Sequence, residues 1–381
     1  MKKISIAFYS TFKRPGWKSE QLESLVPKLR QQNMFHKGYG LRFLRNEEEK
    51  DLFLSPLPLI VAKIIRTLSF LPFIKDYYHY LSGEHVFGLL FNKKLKNDDS
   101  NIVFLKPRPF NLVKSCKEHN KYVVLEFGEL HPLDTYKRMK REYEKYPTES
   151  EYIYTSKYAI DEAIKSIELA DKIIVLSEES KQSFIRNGVP QEKIKKINLG
   201  LNEAYNKSFD DRKPIAFVST AKHSYVKGTH KLLLAWRKAE IKDTKLFIVG
   251  EVSKDIELFV EQFGPFENVI FTGKKNIHEF YQDYNFVGIL NSLSEGYGRV
   301  VVEYMGYGFP VITTPVATCD IVVEGVNGFI VENEDMLINA LHKTKRDKEL
   351  YRSMGQSAKD CAEKTLEYNY TSEIIKLFKG L

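Results

Sequence analysis

Short, wholly apolar β-type runs separated by helical patterns restrict the fold of this chain more than any other feature. ISIAFYS, NIVFLKP, KYVVLEF and KIIVLS lie in the first half, and PIAFVST, KLFIVG, NVIFTG, FVGILNS and PVITT follow in the second. Helical patterns such as SKYAIDEAIKSIELA and GTHKLLLAWRKAEI stand between several of them. A strand buried on both faces loses polar–apolar alternation, and parallel strands need a crossover between them, usually a helix. The pattern therefore predicts an α/β fold with parallel sheets built from βαβ units. At 381 residues the chain exceeds one ordinary core, so two domains are expected. The charged, Asn- and Gly-containing segment KIKKINLGLNEAYNKSFDDRKP, residues 193–214, reads as their connection.

Composition narrows the class. An apolar fraction of 43% and a charged fraction of 28% describe a globular protein. Cys116, Cys319 and Cys361 are scattered, with no CxxC and no Cys/His cluster, so neither a disulfide framework nor a zinc site is expected. That usage fits a reducing, cytoplasmic compartment. MKKISIAFYS is too short for a signal sequence and reads as a first strand. No apolar run reaches the roughly 18 residues that a membrane span needs. The net charge of +8 suits nucleic acid, an anionic membrane surface or a phosphate-bearing substrate, and does not choose among them. One segment is unusual: SPLPLIVAKIIRTLSFLPFIKDYYHYL, residues 55–81, is apolar but interrupted by Lys63, Arg66 and Lys75. Its helical core, Leu59 to Phe70, fits either a buried helix or one lying in a membrane interface with peripheral association.

The stretch SEGYGRVVVE places Glu295 and Glu303 eight residues apart around a two-glycine turn that opens a helix. Parallel sheets bind ligands where strands end and helices begin. Unpaired N–H groups of a glycine turn and helix N-terminus hold anions there. A carboxylate accepts only, so it suits sugar or ribose hydroxyls. Two of them flanking an anion-binding turn match a ligand with hydroxyls at both ends and phosphates between. A turn residue and a solvated helix position fit the same spacing. In AKHSYVKGTHKLLLAW, Lys222 and Lys227 sit five residues apart at another strand-to-helix junction, with Gly228 opening the helix. Such a pair can neutralise a diphosphate, although surface lysines are common.

Taken together, FVSTAKHSYVKG, FIVG, NSLSEGYGRVVVE, GFPVITT and VNGFIVEN resemble the retaining glycosyltransferases of family four. SIELADKIIVLSEESKQSFIRNGVPQEKIKKINLGLN is similar to that family's stretch before its interdomain linker, and the resemblance covers roughly residues 165–335. It implies the GT-B fold: two Rossmann-like parallel-sheet domains facing each other across a cleft. Residues 1–205 would be the acceptor-binding domain, 206–365 the donor-binding domain, and 366–381 a helix packing back on the first. The donor would be a nucleotide sugar of UDP or GDP type. Glu303 would bind ribose hydroxyls and Glu295 the donor sugar. The backbone of Gly296, Tyr297, Gly298 and Arg299 would meet sugar and diphosphate, which Lys222 and Lys227 would also hold. No metal or other cofactor is implied, and Asp98-Asp99 read as solvated loop residues. Three departures stand out: Ala221 for a glycine, Lys222 for an arginine, and ATCDIV, with Asp320 near the place of a glutamate, for Gly-Gly-x-x-Glu.

The first half is less explicit. Gly16 in TFKRPGW stands where the family often has two glycines near the donor phosphates, and His131 after KYVVLEF where it often has a catalytic histidine. A lone histidine is as readily structural. The cationic run TYKRMKREYEKY fits an anionic acceptor, a membrane or a solvated helix face. The resulting expectation is a sugar transferase acting on a glycan or lipid-linked acceptor in cell-surface polysaccharide or lipopolysaccharide-type biosynthesis. Other GT-B chemistry, as a phosphorylase or sugar-nucleotide epimerase, and a non-catalytic basic membrane- or nucleic-acid-binding protein are the alternatives. Against nucleic acid, the chain has no reader motif and no basic–aromatic tract.

Overall fold

A computed structural model describes residues 2–11, 17–41, 50–68, 71, 74, 77–148, 156–205, 207 and 209–381. Gly16 lies outside them. The described chain forms two parallel sheets. The first contains β1 (Ile4–Thr11), β2 (Phe35–Leu41), β3 (Leu52–Ser55), β4 (Ile102–Leu105), β5 (Tyr122–Glu126), β6 (Lys172–Val175) and β7 (Ile194–Lys196). The second contains β8 (Ile215–Thr220), β9 (Leu246–Val249), β10 (Val269–Gly273), β11 (Asn285–Leu290), β12 (Val311–Thr313) and β13 (Gly328–Ile330). Their orders are β3-β2-β1-β4-β5-β6-β7 and β10-β9-β8-β11-β12-β13. Both are doubly wound, so strand order reverses between β1 and β4 and between β8 and β11. Ligands of such sheets bind outside the carboxyl ends of the strands at those reversals.

Alternate residues of each strand enter opposite layers. Ile4, Ile6 and Phe8 of β1 join one apolar cluster with Ile102, Phe104, Val124 and Ile174. Ala7, Val103, Leu105, Val123 and Ile173 face the other layer. The first cluster does not stop at the domain boundary. It runs on through Leu199 and Leu201 into Val218, Tyr297 and Val301, and it takes in Ile374, Ile375 and Phe378. The last three belong to the helix Tyr370–Gly380, which returns to the first sheet: Phe378 meets Phe104 edge-on, with ring centroids 5.5 Å apart.

Four strands differ from the sequence reading. β2 and β3 escaped it because FHKGYGL carries two glycines, which are depleted in strands, and LFLS is only four residues long. Ile194–Lys196 is an edge strand pairing with β6, so the connection begins after it rather than at 193. VNGFIVEN is not only a turn, since its Gly328–Ile330 pairs with β12. Asp98 is also not solvated. Its carboxylate accepts from Ser5 Oγ at 2.6 Å, Ser100 Oγ at 2.5 Å and the buried Lys121 Nζ at 2.9 Å. Burial would raise that carboxyl, but these donors outweigh it and hold it below the usual range.

The segment 55–81 forms a helix over Leu57–Thr67, of which only Pro58 is buried. Leu57, Ile60 and Ile64 are 43%, 49% and 54% exposed on one side of it. The buried-helix reading therefore fails for this face. Among the described residues no helix is long and apolar enough to cross a membrane.

Candidate active site

The loops following β8 and β11 meet at the strand-order reversal of the second sheet, and local chemistry fastens them together. Gly228 ends the first loop in the left-handed region, at φ 64°. A Cβ there would lie 1.9 Å from the Asn291 carbonyl oxygen, so only glycine fits. Asn291 Nδ2 donates to the Gly228 carbonyl at 3.3 Å, and Leu293 N to the Val226 carbonyl at 2.9 Å. His223, fully buried under the first loop, bonds Thr229 Oγ1 and the Val249 carbonyl. Burial pushes its pKa down to about 4, so it sits there neutral at physiological pH.

This fastening brings Lys227 to Glu295: Nζ lies 2.5 Å from Oε2, which also accepts from Ser292 Oγ at 3.2 Å. The Glu295 side chain is only 11% exposed, so the pair is largely withdrawn from water and screening is weak. Lys222 does not join them. It is exposed, and its charge acts on Glu251, whose carboxyl is held low by Lys274 first and then by Lys222 and by Arg66 of the first domain.

Past Glu295 the chain enters the helix Arg299–Gly306. Its N-cap is Gly298, with no side-chain cap and no acid in the first turn. A cation at the positive end of a helix is electrostatically unfavourable by itself. Arg299 compensates by pairing with Glu303 one turn on, Nε to Oε1 at 3.1 Å. Glu303 also acts on Tyr205 and Tyr307, pushing both phenols up after burial, the second to about 12. Those two rings stack at 4.0 Å and 8°, and Tyr307 Oη meets His278 Nδ1 at 2.5 Å.

The turn glycines have a protein contact to make. A Cβ on Gly296 would lie 2.2 Å from the Gly128 carbonyl group and 2.5 Å from Glu129 N, both in the first domain. One on Gly298 would meet Leu290 Cδ2 at 2.8 Å. Tyr297 is buried, and its hydroxyl donates to the Leu199 carbonyl. The Glu295 loop is thus pressed against the first domain. The helix Pro132–Lys145 of that domain holds it further: Thr135 Oγ1 lies 2.8 Å from Ser294 Oγ, and Arg138 Nη1 donates to the Leu293 carbonyl at 3.2 Å.

His131 caps this helix. Its Nδ1 accepts from Leu133 N at 3.3 Å and its ring meets Phe184 edge-on at 5.1 Å. Burial pushes its pKa down to about 4. Asp320, beside the left-handed Cys319, is committed to the first domain. It accepts from Glu178 N through both oxygens at 2.9 and 3.0 Å, and from Lys196 and Asn198 at 2.9 Å. Motif reasoning missed Tyr205, Tyr307, Thr135 and Arg138, whose partners lie tens of residues away or more and leave no local signature.

The assembled site offers a weakly screened carboxylate–ammonium pair, a helix N-terminus without a side-chain cap, and a second carboxylate one turn on. Residues 202–360 match the family described as glycosyl transferases group 1. An uncharacterized 41.2 kDa protein in the cps region of Klebsiella pneumoniae is 25% identical over 286 residues, 74% of this chain and 72% of its own. HepE of Anabaena, solved with UDP and glucose, has a TM-score of 0.68 at 15% identity and full coverage of both chains. WaaG, a glycosyltransferase involved in lipopolysaccharide biosynthesis, has a TM-score of 0.68 at 14% identity over 99% of this chain and 100% of its own. Residues 202–360 are thus a glycosyl transferases group 1 domain, set in a chain of GT-B architecture.

Proposed function

We propose that this protein transfers a hexosyl unit from a nucleoside-diphosphate sugar, of UDP or GDP type, to a glycan or lipid-linked glycan with retained configuration. The observation that carries the reading is the meeting of Lys227 and Glu295 at the reversal of the second sheet, beside the Gly298-capped helix end. Glu295 accepts from donor-sugar hydroxyls. Lys227 neutralises the departing diphosphate, with the backbone N–H groups of 296–299 and, from the rim, Lys222. Glu303 takes the ribose hydroxyls. The cations already in place carry the leaving-group charge, so no metal is required in this scheme. His131, neutral and buried, acts as a positioning residue for the Gly128–Glu129 segment against Gly296. The bound UDP of HepE and the lipopolysaccharide role of WaaG support the donor type and a cell-surface glycan product. We place the enzyme in the cytoplasm, docked on an anionic membrane surface by the helix Leu57–Thr67.

The test is nucleotide release from a panel of UDP- and GDP-sugars. Wild type should release nucleotide slowly alone and faster with an acceptor glycan. Glu295→Ala should lose about 10²–10³ in kcat, the scale of one lost transition-state contact, with an unchanged circular dichroism spectrum. A Glu295→Ala enzyme of wild-type turnover sinks the assignment. Release indifferent to any acceptor favours epimerase chemistry, and release that needs inorganic phosphate favours a phosphorylase.

A further inference from the structure

Leu293 lies two residues before Glu295, between β11 and the helix Arg299–Gly306, and its two backbone groups are bonded to different domains. Its N–H donates to the Val226 carbonyl of the second domain at 2.9 Å. Its carbonyl accepts from Arg138 Nη1 of the first domain at 3.2 Å. The residues on either side repeat the arrangement. The Ser292 carbonyl accepts from Thr314 Oγ1 of its own domain at 2.6 Å, and Ser294 Oγ meets Thr135 Oγ1 of the first domain at 2.8 Å. Ser292 Oγ in turn donates to Glu295 Oε2. The loop that carries Glu295 is therefore gripped on one side by the second domain and on the other by the helix Pro132–Lys145, and its shape depends on where that helix lies.

Ser292, Ser294 and Thr135 are buried, so a hydrogen bond lost among them is not replaced by one to bulk water. Arg138 is partly exposed and has a second partner. While Nη1 reaches the Leu293 carbonyl, Nη2 lies 3.7 Å from Glu179 Oε1. Glu179 stands in the first turn of the helix Glu178–Arg186, whose N-terminus takes Asp320 of the second domain through Glu178 N. Arg138 thus connects the Glu295 loop with the other point at which the domains meet. A planar guanidinium serves a carbonyl and a carboxylate together, which a lysine ammonium on one flexible stem does less well. Neither Arg138 nor Thr135 takes part in the ligand contacts assigned above, so each acts through the loop.

We propose that Arg138 and Thr135 are positioning residues that set Glu295 against the donor sugar from across the domain junction, so that use of the sugar depends on the first domain while nucleotide binding does not. The assignment rests on the glycosyl-transfer reading for what Glu295 holds, and on the bonding of Leu293 and Ser294 alone for the positioning.

Hydrogen–deuterium exchange over residues 291–296 of the full chain tests it, with kinetics on UDP- and GDP-sugars and UDP and GDP affinities measured in parallel. Arg138→Ala and Thr135→Val should each speed exchange in that loop and lower kcat about tenfold, the scale of one lost hydrogen bond. Nucleotide affinity should stay within about twofold. Thr135→Ser keeps the hydroxyl and should restore turnover, and Arg138→Lys keeps one donor and should restore part of it. Such rescue separates hydrogen bonding from bulk and covers misfolding of the first two variants. Unchanged loop exchange in both of those variants overturns the proposal, as does faster exchange with wild-type turnover. Nucleotide affinity that falls in step with kcat also overturns it, because it marks a general loosening of the second domain. If the exchange results hold while no nucleotide or nucleotide sugar binds wild type, the transfer reading fails and the positioning of the loop stands.

Discussion

Gly296 and Gly128 face each other across the domain junction but are not equivalent. A methyl group on Gly296 would run into the Gly128 carbonyl and Glu129 N, which are backbone atoms and cannot rotate away. A methyl group on Gly128 meets nothing within 4 Å. Gly296→Ala should therefore force the Glu295 loop off the first domain, costing about 1–3 kcal/mol as overpacking does, and lower both melting temperature and transfer rate. Gly128→Ala should change neither. Thermal melts and nucleotide release on the two variants decide it, and equal behaviour would mean that the contact is absent in solution. This asymmetry shows the limit of residue-scale reading from sequence. The spacing of Glu295, Gly296 and Gly298 is legible as a turn opening a helix, and Lys227 as a cation at the neighbouring strand-to-helix junction. That the glycines accommodate another part of the chain is not legible, because Gly128 lies 168 positions earlier. Lys222 stands apart from the Lys227–Glu295 pair for a related reason: five residues of loop do not say on which side of the rim a side chain emerges.

At the scale of elements, periodicity recovers strands that are apolar throughout, such as IVFL, YVVLE and NFVGIL, because burial on both faces writes itself into every residue. It fails where glycine dilutes the pattern, as in the internal strand β2, and at an edge, where the three-residue β7 carries two lysines, as edge strands commonly do. The helix Leu57–Thr67 is legible as amphipathic and cationic, yet its sequence does not say which way the apolar side turns. In the fold Leu57, Ile60 and Ile64 point outward, and the adjoining helix Tyr78–Lys96 adds exposed Tyr78, Tyr80 and Leu89. Residues 57–96 contain six basic side chains against Asp76 and Glu84, and Glu84 pairs with Arg108. We expect sedimentation with phosphatidylcholine–phosphatidylglycerol vesicles and little with phosphatidylcholine alone. Ile60→Ser with Ile64→Ser should abolish it by removing the inserted side chains. Lys63→Gln with Arg66→Gln should weaken it by about 1 kcal/mol per charge. Vesicle binding that survives the serine pair would move the docking surface elsewhere.

The whole molecule is held at its cleft by more than its covalent crossings. One end of the helix Pro132–Lys145 caps on His131 in the first domain, and the other is seated in the second. There Tyr143 stacks on Tyr225 at 5.0 Å, and Glu142 takes the buried His230 Nε2 at 3.0 Å and Lys231 Nζ at 3.2 Å. Asp320 fastens the opposite side, reaching the N-terminus of the helix Glu178–Arg186, where a carboxylate also meets the positive end of the macrodipole. The family resemblance places Asp320 near the position of a glutamate, but its oxygens already serve three donors of the first domain, Glu178 N, Lys196 Nζ and Asn198 Nδ2. Asp320→Ala should leave nucleotide affinity within about twofold, since nothing on the donor side is removed. It should cost about 2 kcal/mol, the sum of a lost carboxylate at a helix N-terminus and a partly exposed ion pair. Asp320→Asn retains one acceptor oxygen and should fall between. With one fastening gone the cleft should spend more time open, read as a larger radius of gyration in solution scattering and slower acceptor-dependent release. A variant with wild-type melting and scattering would show that Asp320 does not join the domains. One with intact structure and lost nucleotide binding would return it to the ligand.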